Sequence, residues 1–311
     1  MICGRSRSNS RSCGRTILVL ALIVWVDSID VVARDHIPTG ASETVAALRG
    51  GTVDLNVYTY RPVGCQPSSV LLVFHGNGRN ASSYRDSAIP VAQKHCFIVA
   101  APLFDERRFP TWAYHRGGLI GRSGPLPSEE WTVGLVAELV EWVRATSPDI
   151  PYILFGHSAG GQFLSRVAAY ALPLPPGLRR IVIANPSTYV WPSAQTLVPY
   201  GFGGDLLTDQ LTHLSNYLSA PLTIYQGTDD TGDEQLTTNK YADAQGRNRL
   251  ERATAVFGAA CDAGRAMRIL PQWQFVLAPS IGHTARGMLA SAAVATGLGL
   301  EPGGQTCPRS Q

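Results

Sequence analysis

Six short apolar runs, each closed by glycine or proline, constrain this chain most. They are "SVLLVFHG" (69–76), "CFIVAAP" (96–102), "PYILFG" (151–156), "RRIVIANP" (179–186), "APLTIYQG" (220–227) and "WQFVLAP" (273–279). Runs of this length without polar alternation read as strands buried on both faces. Between them lie segments with helical patterning at 82–95, 128–145, 158–170, 248–263 and 285–295. Ser128 is placed to cap the second of these, with Glu129 and Glu130 favourable to its dipole. An earlier stretch, "GTVDLNVYTYRP" (51–62), alternates as a half-buried strand does. Strands alternating with helices predict one α/β domain, a mostly parallel sheet covered on both faces. In such sheets ligands bind beyond the carboxyl ends of the strands, so the residues just after each run are the ones to inspect.

The 311 residues are 45% hydrophobic, enough for a sizeable core. The net charge of +3 does not describe the body of the chain, because Arg5, Arg7, Arg11 and Arg15 crowd the first fifteen residues. No nucleic-acid footprint is expected. Behind those arginines, "ILVLALIVWV" (17–26) is too short for a membrane span and suits the core of a signal peptide. Small residues compatible with cleavage follow at 26–28 and 31–33, and no Arg-Arg pair marks a twin-arginine signal. The expected division is a targeting segment over 1–33 and a catalytic domain over 34–311. The protein is then secreted or periplasmic, with no stable membrane association once the segment is removed; an uncleaved anchor is the alternative.

Removal of that segment leaves Cys65, Cys96, Cys261 and Cys307. An even number in an exported protein suggests two disulfides, in one of three pairings. Cys65 precedes one predicted strand and Cys96 immediately precedes the next, which favours Cys65–Cys96 and Cys261–Cys307.

"GHSAG" (156–160) fits the G-x-S-x-G pattern at a predicted strand-to-helix junction. There a sharp turn exposes the Ser158 hydroxyl, and the glycines avoid clashes that a Cβ would make. A serine hydroxyl needs a base, and the base needs an orienting acid. In this strand order the acid and then the histidine follow the serine. His283, in "SIGHTARGML", comes directly after the last predicted strand; the other later histidine, His213, sits in a polar helical stretch. "GTDDTGDE" (227–234) offers Asp229, Asp230, Asp233 and Glu234, of which Asp230 has the spacing of an acid-bearing turn. This acidic cluster lacks the spacing of an EF-hand loop, and neither metal nor cofactor is expected. "HGNG" (75–78) follows the first buried run. A turn in that position supplies a backbone N–H to a developing oxyanion, from Asn77 or alternatively Gly78. Ala159, after the nucleophile, supplies the second donor.

With "FHGNG", "GHSAGG", "GTDD" and "IGH" in order at strand ends, the chain resembles the α/β-hydrolase superfamily. Within it, the chain is similar to secreted esterases of the polyhydroxybutyrate-depolymerase and feruloyl-esterase type. The resemblance implies Ser158 as nucleophile, His283 as general base and acid, Asp230 as orienting acid, and Asn77 and Ala159 at the oxyanion hole. It implies a small-molecule or polymeric ester substrate cleaved through an acyl-enzyme. Amide hydrolysis or acyl transfer by the same residues, and an inactive hydrolase-fold binding protein, are the competing readings. Two excursions, 103–127 and 187–219, are expected to cover the site. Their Trp112, Tyr114, Tyr189, Trp191, Tyr200 and Phe202 either line an acyl pocket or close the loops onto the core. Arg116 and Arg122 either receive an anionic substrate group or are solvated. Asp230→Asn is expected to lower turnover by orders of magnitude with the fold intact.

Overall fold

The computed structural model describes residues 37–309; the targeting segment expected over 1–33 lies outside them. In chain order the elements are β1 (Gly40–Leu48), β2 (Val53–Arg61), β3 (Ser69–Phe74), α1 (Ala81–His95) and β4 (Phe97–Pro102). A small hairpin, β5 (Ile120–Gly121) and β6 (Gly124–Pro125), precedes α2 (Leu135–Val143), β7 (Tyr152–His157), α3 (Ala159–Tyr170) and β8 (Leu178–Ala184). Then come α4 (Gln210–Ser219), β9 (Leu222–Gly227), α5 (Lys240–Asp243), α6 (Arg249–Met267) and β10 (Trp273–Ala278). The short elements α7 (Ala285–Ala290), α8 (Val294–Gly297) and β11 (Gln305–Thr306) end the chain.

The main sheet runs β1-β2-β4-β3-β7-β8-β9-β10-β11. Its central block, from β4 to β10, is parallel throughout. Antiparallel strands close both ends. These six parallel strands are the six apolar runs, and alternate residues of one strand feed two separate cores. From β3, Val70, Leu72 and Phe74 join the core under α2, α3, α4 and α6. Leu71 and Val73 join the core under α1, α7 and α8. From β3 the chain crosses first to β4 on one side and later to β7 on the other, so a crevice opens beyond the carboxyl ends of β3 and β7.

Both expected disulfides are present. Cys65–Cys96 joins the loop before β3 to the residue before β4, and Cys261–Cys307 ties α6 to the residue after β11.

Three local expectations need correction. The single helix over 128–145 is two 3-10 turns, Ser128–Glu130 and Thr132–Gly134, followed by α2, and Ser128 makes no capping bond. The break has a cause in Trp131, whose ring is buried and whose indole N–H donates to the Leu126 carbonyl at 2.9 Å. Its backbone is extended there, and the Val133 amide bonds to Gly117 O across the loop instead of within a helix. The helix expected over 285–295 is likewise divided into α7 and α8, with the extended Ser291 between them.

Of the two readings of the excursion aromatics, closure onto the core is the one found. Tyr114, Tyr189, Tyr200 and Phe202 are buried in the body of the protein, and Trp112 and Trp191 pack on the same core. Tyr114 stacks on Phe104 with ring centroids 5.0 Å apart. The Arg116 guanidinium lies 5.9 Å above the Tyr200 ring, while Arg122 is exposed. Large aromatic surfaces are more stable in a dry core than on a loop crest, and these excursions supply the wall that short helices leave open.

Candidate active site

Strand β7 ends at His157 and helix α3 begins at Ala159, leaving Ser158 at the corner with φ 57° and ψ −115°. A non-glycine residue at this φ carries strain of about 1–3 kcal/mol, held by its surroundings. Here the Ser158 amide donates to Ala184 O at 3.0 Å and its carbonyl accepts from Gln162 N at 3.0 Å. The flanking glycines are explained by close approach. A Cβ on Gly156 would collide with the Gly160 carbonyl, and one on Gly160 with the Phe74 carbonyl. Helix α3 is buried along its whole length, so the corner cannot relax outward.

The structure brings three residues from three loops to this corner. His283 Nε2 lies 3.0 Å from Ser158 Oγ, and His283 Nδ1 lies 2.8 Å from Asp230 Oδ2. The consistent assignment has Nδ1–H donating to the carboxylate and the serine hydroxyl donating to Nε2. Asp230 is 2% exposed, whereas Asp229, Asp233 and Glu234 are exposed and make no hydrogen bond or ion pair with His283. His213 lies in α4, away from this corner.

Two supporting residues were not found from sequence. Asn185, directly after β8, is fully buried with φ 46°. Its side chain accepts from Gly227 N at 2.9 Å and donates to Gly282 O at 3.1 Å. It therefore brackets the loop carrying Asp230 to the loop carrying His283. Arg249, at the start of α6, places Nη1 3.3 Å from Asp230 Oδ1, with both side chains almost fully buried. It also donates to Glu234 O at 2.8 Å. The one hint to Asn185 was a polar residue directly after a buried strand; nothing marked Arg249 apart from its neighbours.

The turn after β3 is fixed by His75. Its Nε2 accepts from Phe104 N at 3.0 Å, which leaves Nδ1–H to donate to Gly76 O at 2.9 Å. Tyr114 donates to His75 O at 2.8 Å. The turn thus rests on the first excursion, which acts as a buttress. Asn77 and Gly78 both border the corner. The Ala159 amide is the first of α3 and has no acceptor within the helix.

Burial pushes the His75 imidazole down to about 4. Burial, then the charge of Arg79, pushes His115 down to about 3. Both rings are neutral in the fold at pH 7. Between about pH 6.5 and 4 the unfolded chain binds protons at these rings that the folded chain does not, so stability falls as the pH falls through that window. The slope is about 1.4 kcal/mol per pH unit for each ring. Thermal melts from pH 8 to 4.5 are expected to show a constant Tm above pH 6.5 and a decline below it. A Tm unchanged at pH 4.5 would contradict the burial of these rings.

A cleft of about 610 Å³ opens over Ser158. It is lined by Gly76, Asn77 and Gly78 of the turn after β3 and by Asn80, Ser83, Tyr84, Asp86 and Ser87 of the α1 segment. Gln235, His283, Thr284, Ala285 and Arg286 also line it, with His157 and Ser158. Neither excursion contributes a lining residue, so the excursions do not cover this cleft as expected, their aromatic residues do not line it, and Arg116 and Arg122 do not face it. The lining is mainly polar. Chemically, the arrangement offers a serine hydroxyl, a base in contact with it, a buried anion behind the base and free amides at a helix start. These are the parts needed for nucleophilic acyl transfer.

The family model described as the alpha/beta hydrolase fold matches residues 69–261. Among solved structures, the chain is 31% identical to LpqC, a poly(3-hydroxybutyrate) depolymerase from Bordetella parapertussis, over 83% of this chain and 90% of that one, with TM-score 0.76. It is 30% identical to poly(aspartic acid) hydrolase-1 from Sphingomonas sp. KT-1, over 81% of this chain and 96% of that one, with TM-score 0.75. No curated protein sequence matches it. The sheet order, the strand-end loops and these similarities together make this chain a member of the α/β-hydrolase fold family, of the esterase type.

Proposed function

We propose that the protein is an exported serine hydrolase that cleaves carboxylic esters through an acyl-enzyme. The observation that carries this reading is the unbroken line of contacts from Ser158 Oγ through His283 to Asp230. In the first half-reaction His283 Nε2 takes the Ser158 proton as the oxygen attacks the ester carbonyl. The Asp230 carboxylate holds the imidazole in the accepting tautomer and stabilises the imidazolium that forms. The Ala159 amide and that of Asn77 receive the oxyanion. His283 then protonates the leaving alkoxide, and water repeats the sequence on the acyl-enzyme. No step calls for a metal or cofactor.

Two disulfides support export, and among the described residues no helix is long and apolar enough to cross a membrane. The two relatives are named for polymers, and the open, polar cleft suits a segment of an oligomeric or polymeric ester. One of those named polymers, poly(aspartic acid), is a polyamide, which favours amide hydrolysis as the second reading.

A fluorophosphonate probe is expected to label the parent protein once, at Ser158, and to leave Ser158→Ala unlabelled. His283→Ala should label at least about 10³-fold more slowly. Equal labelling of Ser158→Ala would sink the proposal. Paired ester and amide substrates with the same acyl group separate the two readings.

A further inference from the structure

Tyr84 lines the cleft and has no role in the reaction above. Tyr84 comes from α1 and is 7% exposed. A Cβ built on Gly76 would lie 2.6 Å from its Oη and 3.4 Å from Ser158 Cβ, so the phenol and the nucleophile flank the same bare glycine. Gly76 immediately precedes Asn77, so the phenol lies beside the turn that carries the Asn77 amide.

The direction of its hydrogen bonds follows from His157. Tyr84 Oη and His157 Nδ1 are 3.0 Å apart, and His157 is 3% exposed. Burial holds this imidazole neutral, so it carries one ring proton. His157 Nε2 has no hydrogen-bond partner among the described residues. A proton there would be a buried donor with no acceptor, which is rarer and costlier than a lone pair left unused. The proton therefore sits on Nδ1 and is donated to Tyr84 Oη. A phenol that accepts this hydrogen bond still has its own proton to give. Burial pushes the Tyr84 phenol up to about 12, so that proton is present at neutral pH.

We propose that Tyr84 is a catalytic residue that donates its O–H to the substrate carbonyl oxygen as it becomes an oxyanion, a third donor beside the Asn77 and Ala159 amides. This role rests on the serine-hydrolase reading above. The hydroxyl is preorganised by His157, whose ring does not titrate near neutral pH, so its aim does not change across the working range.

Tyr84→Phe keeps the ring and removes only the hydroxyl. With a p-nitrophenyl acyl ester, kcat/KM is expected to fall about 10²-fold, mostly in kcat. The affinity for an alkylboronic acid, a tetrahedral mimic, should fall by the same factor, because the lost interaction belongs to the transition state. A kcat/KM within about threefold of the parent, or a fall in rate with boronate affinity retained, would overturn the role. In a crystal structure of the parent with the boronate, an adduct oxygen should lie within hydrogen-bond distance of Tyr84 Oη. A gap beyond about 4 Å overturns the role whatever the variant does. The parent itself separates the two levels. Labelling at Ser158 with an active Tyr84→Phe variant removes only this inference, whereas an unlabelled and inactive parent removes the serine-hydrolase reading and this role with it.

Discussion

Asp230→Asn is expected to lower kcat about 10⁴-fold, the loss that follows when a triad histidine is held in the wrong tautomer. The carboxylate accepts the Nδ1 proton of His283 at 2.8 Å, which leaves Nε2 as an acceptor facing Ser158. An asparagine in its place offers N–H groups as well as an oxygen, and the imidazole can then carry its proton on Nε2, where it cannot accept the serine proton. The sequence alone implied that the fold would survive this change untouched. The structure argues otherwise, because the second carboxylate oxygen faces Arg249, and both side chains are at most 2% exposed. A neutral amide leaves a buried guanidinium without its counter-charge, a cost of about 3 kcal/mol or more. Kinetics at low temperature and a thermal melt of the same preparation check both halves. A kcat within about tenfold of the parent would remove Asp230 from the orienting role.

Arg249→Met is expected to destabilise the protein by about 3–5 kcal/mol, the range for breaking a buried pair by removing one partner. Methionine fills much of the space but leaves the Asp230 carboxylate with the His283 proton alone, and leaves Glu234 O without its donor. The pair should reveal itself through non-additivity. Asp230→Asn combined with Arg249→Met should be less destabilised than the two single changes added together, because neither orphaned charge remains. Urea denaturation of the parent, the two single variants and the double variant measures this. A single variant within about 1 kcal/mol of the parent, or strict additivity, would mean that the pair does not hold the acid loop.

The strands and the chain order of Ser158, Asp230 and His283 were legible because each leaves a local trace. A strand buried on both faces is apolar throughout, and the turn after it must be glycine, proline or a functional polar residue. β1 left no such trace. It is an edge strand of small and polar residues with one half-buried face, paired only with β2. The break before α2 was hidden for a different reason: Trp131 fits a helical pattern, and its extended backbone follows from where its ring is buried. The aromatic residues of the excursions could not be assigned from sequence, since an aromatic side chain on a loop looks the same whether it meets a substrate or a core. Asn185 and Arg249 act across 42, 97 and 19 residues of chain, contacts that no local pattern encodes. Among the four acids of 227–234, the G-x-x-D spacing after the strand singled out Asp230, the one that meets His283.

Because both excursions are built into the interior, exchanging them between relatives would empty the core rather than retune recognition. The part of the cleft wall open to substitution is instead one face of α1 and the residue before it. Asn80, Ser83 and Ser87 recur at helical spacing along the cleft, while Ala81, Ala88 and Ala92 turn inward to the sheet. These three positions, two on a well-anchored helix and one just before it, can therefore be randomised together with little disturbance to folding. A new substrate preference in this scaffold is most accessible through a small combinatorial library there, not through loop grafting.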